Sequence, residues 1–247
     1  MSRQVLTSLE KHRAQQAPAL AVLVDPDRSD QGQLIHLAEN AQKAQADYIF
    51  VGGSLLTRDA LATCIKTLQQ HCSLPVVLFP GSIMQLSPAA DALLFLSLIS
   101  GRNPEYLIGN QVVAAPYLRQ MDLEVMPTGY MLIHSGQPTT ASYMSGSQPI
   151  PWDKPEIASA TALAGQMLGL RLIYMDGGSG AQRPISETMI REVRQAIHCP
   201  LIIGGGILTP EKVQGNIQAG ADVIVVGNAL EKDPSLLAEM VKAAHDG

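Results

Sequence analysis

Ile173 to Ala181 reads IYMDGGSGA, an apolar run that ends in one acid, Asp176, and continues as Gly177-Gly178-Ser179-Gly180. Two later apolar runs end in a similar way, at Gly204-Gly205-Gly206 and at Gly227-Asn228. Glycine reaches positive φ cheaply and leaves its N–H uncovered. Successive glycine turns that open into helices therefore make a cradle of backbone donors for an anion such as phosphate. The plainer reading is that these glycines only tighten strand-to-helix turns, but three consecutive occurrences favour phosphate. A carboxylate repels a phosphate, so Asp176 is a poor grip for one. It is better suited to take a proton or a hydrogen bond from a substrate hydroxyl, the work of a general base. Its alternative is a turn or helix-capping acid.

A second acid ends another apolar run. In AVLVDPD, Asp25 follows four apolar residues, and burying a lone carboxylate there is costly unless a cation or donors meet it. The neighbouring run FVGGS ends in Ser54. One carboxylate and one hydroxyl form the sparse protein shell of a Mg²⁺ ion held mainly by water and substrate phosphates. An Asp25–Arg28 pair or a hydrogen-bonded turn would satisfy Asp25 equally well, and residue types leave the choice open.

These residues need elements to position them. Strand-like runs occur at 19–26, 46–54, 75–81, 91–98, 124–133, 171–178, 200–207 and 221–230. Most are separated by helical patterns, such as QLIHLAENAQKAQ and SETMIREVRQAI, with apolar residues three and four apart. Near-continuous Val/Ile/Leu strands alternating with helices imply a parallel sheet covered on both faces. Eight such units predict an α/β fold, a TIM (β/α)8 barrel, spanning 1–247 as a single domain. The strand ends would then share one mouth: Asp25, Gly52-Gly53-Ser54, Phe79-Pro80-Gly81, Ser97, Tyr130, Asp176 and the glycines. Alternation along a strand sends Tyr174 and Asp176 inward, and Ile173 and Met175 toward the helices. SIMQLSPAA, after the third strand, is too short and too rich in Pro and Ser for an outer helix, so the third outer element should be irregular. The connection at 134–153, rich in Gly, Pro, Ser and Thr, is either a lid over the mouth or an ordinary surface excursion.

Composition narrows the partners. A net charge of -5 and a pI near 5.6 give no basic field for nucleic acid. The three cysteines lack metal-type spacing and read as reduced, mostly buried thiols. The N-terminal segment lacks the apolar core of a signal peptide and no long apolar run follows, so a cytoplasmic location is expected.

The motifs LVDPDR, DYIFVGGSLLT, VVLFPGS, LLFLSLISGRNPEYLIGNQV, MPTGYMLI, KPEIASATALAGQMLGLRLIYMDGGSGA, IIGGGI and ADVIVVGNAL, in this order, closely resemble the geranylgeranylglyceryl phosphate synthase family of archaea and some bacteria. The resemblance spans nearly the whole chain. It implies a Mg²⁺-dependent prenyltransferase that joins the 3-hydroxyl of sn-glycerol 1-phosphate to a polyprenyl diphosphate, with geranylgeranyl as the expected chain, and releases diphosphate. By motif, Asp25 and Ser54 match the metal ligands. Tyr174, Asp176, Gly177, Gly178, Ser179 and Gly180, then Gly205, Gly206, Gly227 and Asn228, match the glycerol-phosphate segments. Asp176 stands where the family has Glu, and Gly177 where it has Ala. One bacterial branch has Lys where this chain has Leu23, which leaves Arg28, Arg58 and Arg102 as candidates to balance the phosphates. Phe79, Phe95, Met126 and Tyr130 are candidates to line the prenyl groove. The resemblance also implies a homo-oligomer, dimer or hexamer, with Tyr143 at the anchor position, and at most transient membrane contact for lipid product release. The competing readings are a phosphate-binding isomerase or thiamine-phosphate-synthase-like barrel, and a noncatalytic phosphoglycerol or prenyl-diphosphate binder.

Overall fold

The computed structural model describes residues 4–247. Within them, eight parallel strands close into a barrel in sequence order. They are β1 (Ala19–Val24), β2 (Tyr48–Val51), β3 (Val76–Leu78), β4 (Ala92–Leu98), β5 (Glu124–Leu132), β6 (Leu172–Asp176), β7 (Leu201–Gly204) and β8 (Val223–Val226). The helices are α1 (Gln4–Gln15), α2 (Gln31–Ala44), α3 (Leu61–His71), α4 (Asn110–Leu118), α5 (Thr140–Ser145), α6 (Pro155–Met167), α7 (Glu187–Ala196), α8 (Pro210–Gln218), α9 (Asn228–Lys232) and α10 (Leu237–His245). The TIM barrel expected from the alternation is the fold found.

The period of two along each strand divides the core. Ala21, Phe50, Val77, Leu94, Tyr130, Tyr174, Ile202 and Val225 fill the barrel, while Val22, Ile49, Val76, Leu93, Met131, Ile173, Ile203 and Ile224 meet the helices outside. The floor of the barrel is closed by α1, which the apolar pattern did not announce. Its Val5, Leu6 and Leu9 belong to the inner cluster. The N–H groups of Val5 and Leu6 donate to the Glu124 carboxylate at 2.9 and 3.1 Å, an acid placed at the positive end of a helix. Tyr48 adds a hydroxyl bond to Ser8 Oγ at 2.7 Å. The opposite end of the barrel stays open.

Helix starts follow local chemistry. Asp30 and Gln33 form a reciprocal capping box on α2, Ser186 caps α7, and Thr209 caps α8 ahead of Pro210. No helix forms between β3 and β4, where residues 80–91 run as turns, as SIMQLSPAA implied. The PEYLIGNQVVAAPYLRQ pattern, read as one helix, is a π-helical turn at Glu105–Gly109 that leads into α4. Ser97 was expected at the mouth. It instead shares the outward face of β4 with Leu93 and Phe95, and its hydroxyl donates to Leu107 O at 2.7 Å, bracing that turn. Cys64, Cys72 and Cys199 are free thiols, and burial lifts Cys64 to about 12. Among the described residues, no helix is long and apolar enough to cross a membrane.

Candidate active site

Glycine makes close contact possible where the second and third strands end. A Cβ on Gly52 would lie 1.9 Å from Phe79 O, so only glycine lets these strand ends touch. Gln85, buried in the turns after β3, locks the junction. Its amide donates to Gly53 O at 2.8 Å, and its oxygen accepts from Gly81 N at 3.1 Å. Sequence reading missed Gln85. The only available signal was an amide in a stretch already read as a loop. Asp27 ties the β1 end to the next loop by accepting from Thr57 N at 2.5 Å and Thr57 Oγ1 at 2.9 Å. Those bonds hold its carboxyl below the usual range.

The open end of the barrel encloses a cavity of about 340 Å³. Asp25, Ser54, Tyr174, Asp176, Gly178, Ser179, Gly180, Gly205, Gly206, Gly227 and Asn228 all lie on its wall. Gly177 does not. Its N–H donates to Gly204 O at 3.0 Å, which continues the sheet one residue past β6. The Gly178 N–H is also spent, on Asp176 Oδ1 at 2.6 Å, so two of the expected cradle donors serve the protein itself. The remaining cradle is formed around Gly180, Gly205 and Gly206, with φ of +76°, +85° and +71°, and around Ser179, whose hydroxyl reaches Asn228 Oδ1 at 3.2 Å. At Gly205 a Cβ would fall 2.7 Å from Gly178 N and 2.8 Å from Asp176 Oδ1. Gly205→Ala is thus expected to displace the acid and lower kcat/KM by about tenfold or more, because misplacement on that scale is severe for an aligned reaction. Steady-state kinetics beside a thermal melt checks this; unchanged kinetics would contradict it.

Asp176 is buried, and its second oxygen accepts the Tyr130 hydroxyl at 2.5 Å. Burial raises its pKa, opposed by the bonds from Tyr130 and Gly178. Both readings of this residue have support in the geometry: it anchors its own turn, and it faces the cavity as a carboxylate with lifted basicity. Burial and the nearby acid push the Tyr130 and Tyr174 phenols well above their usual range. Phe79 stacks on Tyr174 at 4.8 Å, and Tyr130 meets both rings edge-on at 5.7 Å. Together these rings floor the cavity.

At β1, Asp25 is half-buried, and burial raises its pKa. Its Oδ1 accepts from Asp27 N at 3.0 Å and its Oδ2 lies 3.3 Å from Arg28 Nε, so the turn and the ion pair are both present. The same Oδ2 is 3.3 Å from the position of a Cβ on Gly53, next to Ser54. A carboxylate and a hydroxyl just past the ends of adjacent strands, on the wall of one cavity, suit an oxygen-ligated Mg²⁺ ion. Among the described residues, no cluster of three or more His, Cys, Asp or Glu could hold a metal, so the other ligands there would be water and substrate oxygens. Arg28 reaches the cavity wall, as does Lys232 at the end of α9, a cation that sequence reading missed. Arg58 and Arg102 do not reach it, and Arg102 instead donates to Gly101 O at 2.7 Å.

On its far side the cavity is apolar. Phe79, Ile83, Leu86, Leu93, Phe95 and Ala114 line it. Leu93 and Phe95 sit on the outward face of β4, between Ile83 and Leu86 of the helix-free turns after β3 and Ala114 of α4. Met126 is instead wholly buried in the barrel core. The 134–153 connection returns to the sheet through Ile150 and carries α5 over the mouth. Tyr106 donates to Met144 O at 3.0 Å and Asn103 to Ser145 O at 2.8 Å, while Thr140, Ala141, Met144 and Ser145 contribute to the wall.

Comparison with known proteins agrees with this geometry. A geranylgeranylglyceryl phosphate synthase of Chitinophaga pinensis is 49% identical over 99% of this chain and 97% of that protein. One from Pyrococcus furiosus is 41% identical over 96% of this chain and 92% of its own. The crystal structure of (S)-3-O-geranylgeranylglyceryl phosphate synthase from Thermoplasma acidophilum, in complex with the substrate sn-glycerol-1-phosphate, superposes with a TM-score of 0.94 at 34% identity and covers 100% of both chains. Residues 13–245 match the PcrB family, and with these identities across almost its full length the chain belongs to that family.

Proposed function

We propose that this protein is a prenyltransferase that joins the 3-hydroxyl of sn-glycerol 1-phosphate to a polyprenyl diphosphate, geranylgeranyl being the expected chain, and releases diphosphate. The observation that carries this reading is a single cavity with three chemically distinct parts: a glycine cradle, a buried carboxylate–phenol pair, and an apolar slot against the outward face of β4.

The cradle at Gly180, Gly205, Gly206 and Asn228 holds the phosphate of the glycerol substrate and so fixes the distance of its far hydroxyl from Asp176. Asp176 receives the hydroxyl proton as the oxygen attacks the allylic carbon. Phe79, Leu93 and Phe95 hold the prenyl chain and exclude water from the reacting carbon. Arg28 and Lys232 supply positive charge on the same wall. Asp25 and Ser54 would hold a Mg²⁺ ion, whose charge, when bound, neutralises the leaving diphosphate.

Formation of a prenyl ether, with one diphosphate released per ether, separates this reading from its competitors. A transferase requires glycerol 1-phosphate and a prenyl diphosphate together. Binding of either without turnover would identify a binding protein, and conversion of a phosphosugar in the absence of a prenyl donor would identify an isomerase.

The assembly is assigned as a homo-oligomer anchored by Tyr143, and the location as cytoplasmic with at most transient membrane contact for product release. Tyr143 on α5 is 83% exposed and is not part of the cavity wall, while Tyr is favoured where a large ring must be buried between subunits. Light scattering is expected to show a multimer that Tyr143→Ala reduces in size with activity kept. A wild-type monomer would refute the assembly, and an unchanged mass with weaker prenyl binding would make Tyr143 a lid residue.

A further inference from the structure

Asp176 has both carboxylate oxygens engaged within the protein, Oδ1 by Gly178 N at 2.6 Å and Oδ2 by the Tyr130 hydroxyl at 2.5 Å. Barrel register explains the second contact. Leu132 pairs with Asp176 and Tyr130 with Tyr174, so the Tyr130 side chain starts one inward layer below the acid and reaches up to it. Phe79 and Tyr174, each 5.7 Å away by ring centroids, wall the Tyr130 ring so that it cannot swing aside. Both Tyr130 and Asp176 are on the cavity wall, at 9% and 8% exposure.

A phenol has one proton to donate and lone pairs with which to accept. The Tyr130 proton is committed to a carboxylate in a short, charge-assisted bond. Toward the cavity this oxygen can therefore only accept, which suits it to a substrate hydroxyl.

Resting on the prenyl-transfer reading, we propose that Tyr130 is a second catalytic residue, a relay whose oxygen accepts the proton of the attacking glycerol hydroxyl while its own proton passes to Asp176 Oδ2. The glycerol oxygen forms its bond to the allylic carbon, and the allylic C–O bond breaks with its electron pair leaving on diphosphate. The glycerol proton appears, after two hops, on Asp176. Tyr130 ends neutral as it began, and nothing is oxidised or reduced. Both hops occur together, because a free tyrosinate beside the carboxylate is disfavoured in this buried site.

Tyr130→Phe keeps the ring and deletes only the hydroxyl. It is expected to lower kcat by about 10²-fold, at the lower end of acid–base contributions, with KM for glycerol 1-phosphate within about threefold. Adding Asp176→Glu, whose extra methylene carries the carboxylate to the substrate hydroxyl, is expected to recover about tenfold or more over Tyr130→Phe alone. In single turnovers of the unaltered enzyme, the rate should fall along a curve with rising D₂O fraction, since two protons move. A straight dependence, a Tyr130→Phe variant within about threefold of wild-type kcat, a loss confined to KM, or a double variant no faster than Tyr130→Phe would each overturn the relay. These results in a chain that still makes the ether remove the relay alone. A wild-type chain that makes no prenyl ether removes the functional reading and the relay with it.

Discussion

Asp176→Asn is expected to lower kcat by roughly 10²–10⁴-fold, the span usual for loss of a general base, while affinity for glycerol 1-phosphate changes far less. The amide keeps the shape of the acid and an oxygen for the Gly178 N–H, so the turn that starts the phosphate cradle survives. What it loses is the ability to end the reaction holding a proton. The pH dependence carries the same signature. Burial raises the Asp176 pKa above its ordinary 3.8, and only the ionised form accepts a proton. Activity should therefore fall as pH drops through that raised pKa, at a higher pH than for an ordinary carboxylate, and this acid limb should be absent from the residual rate of Asp176→Asn. Steady-state kinetics across pH checks both points. If binding collapses while kcat holds, Asp176 positions substrate and the base lies elsewhere.

Asp25→Ala is expected to reduce transfer by about 10³-fold or more, since charge stabilisation by a metal is worth several kcal/mol and each 1.36 kcal/mol is about tenfold in rate. Its fold should be at least as stable as that of the unaltered chain. The half-buried carboxylate is held at a desolvation cost, and its partner Arg28 is exposed, so truncation leaves no charge stranded in the interior. Turnover at saturating Mg²⁺ beside a thermal melt separates the two effects. Near-normal turnover would remove Asp25 from the metal site, and a collapsed melt would mean that the Asp25–Arg28 turn serves the fold.

The strands were legible because their chemistry is local. Eight near-continuous apolar runs predict the barrel, the period of two puts Tyr174 and Asp176 on the same face of their strand, and a run such as SIMQLSPAA cannot sustain a helix. The glycine turns were legible for the same reason, although which N–H groups remained for a ligand was not: Gly177 and Gly178 spend theirs on Gly204 O and Asp176.

What stayed hidden depends on barrel closure. The first helix shows only Val5, Leu6 and Leu9 among polar neighbours, and its N-terminus is satisfied by Glu124, which lies 119 residues from Val5. The hydroxyl that meets Asp176 comes from Tyr130, 46 residues away, and Gln85 joins Gly53 and Gly81 across a junction that exists only once β2 and β3 are side by side. Ser97 was misplaced by one step of alternation at the end of a strand. No local pattern encodes such contacts, because each is set by which strands become neighbours.

The most direct test of the account follows a single oxygen. The protein is incubated with Mg²⁺, geranylgeranyl diphosphate and sn-glycerol 1-phosphate carrying ¹⁸O in its 3-hydroxyl, and the extracted lipid is weighed by mass spectrometry. The account predicts one prenyl ether that retains the ¹⁸O, formed with one equivalent of inorganic diphosphate. An unlabelled prenyl alcohol, an ether without the label, or no ether with prenyl donors of any length would contradict it.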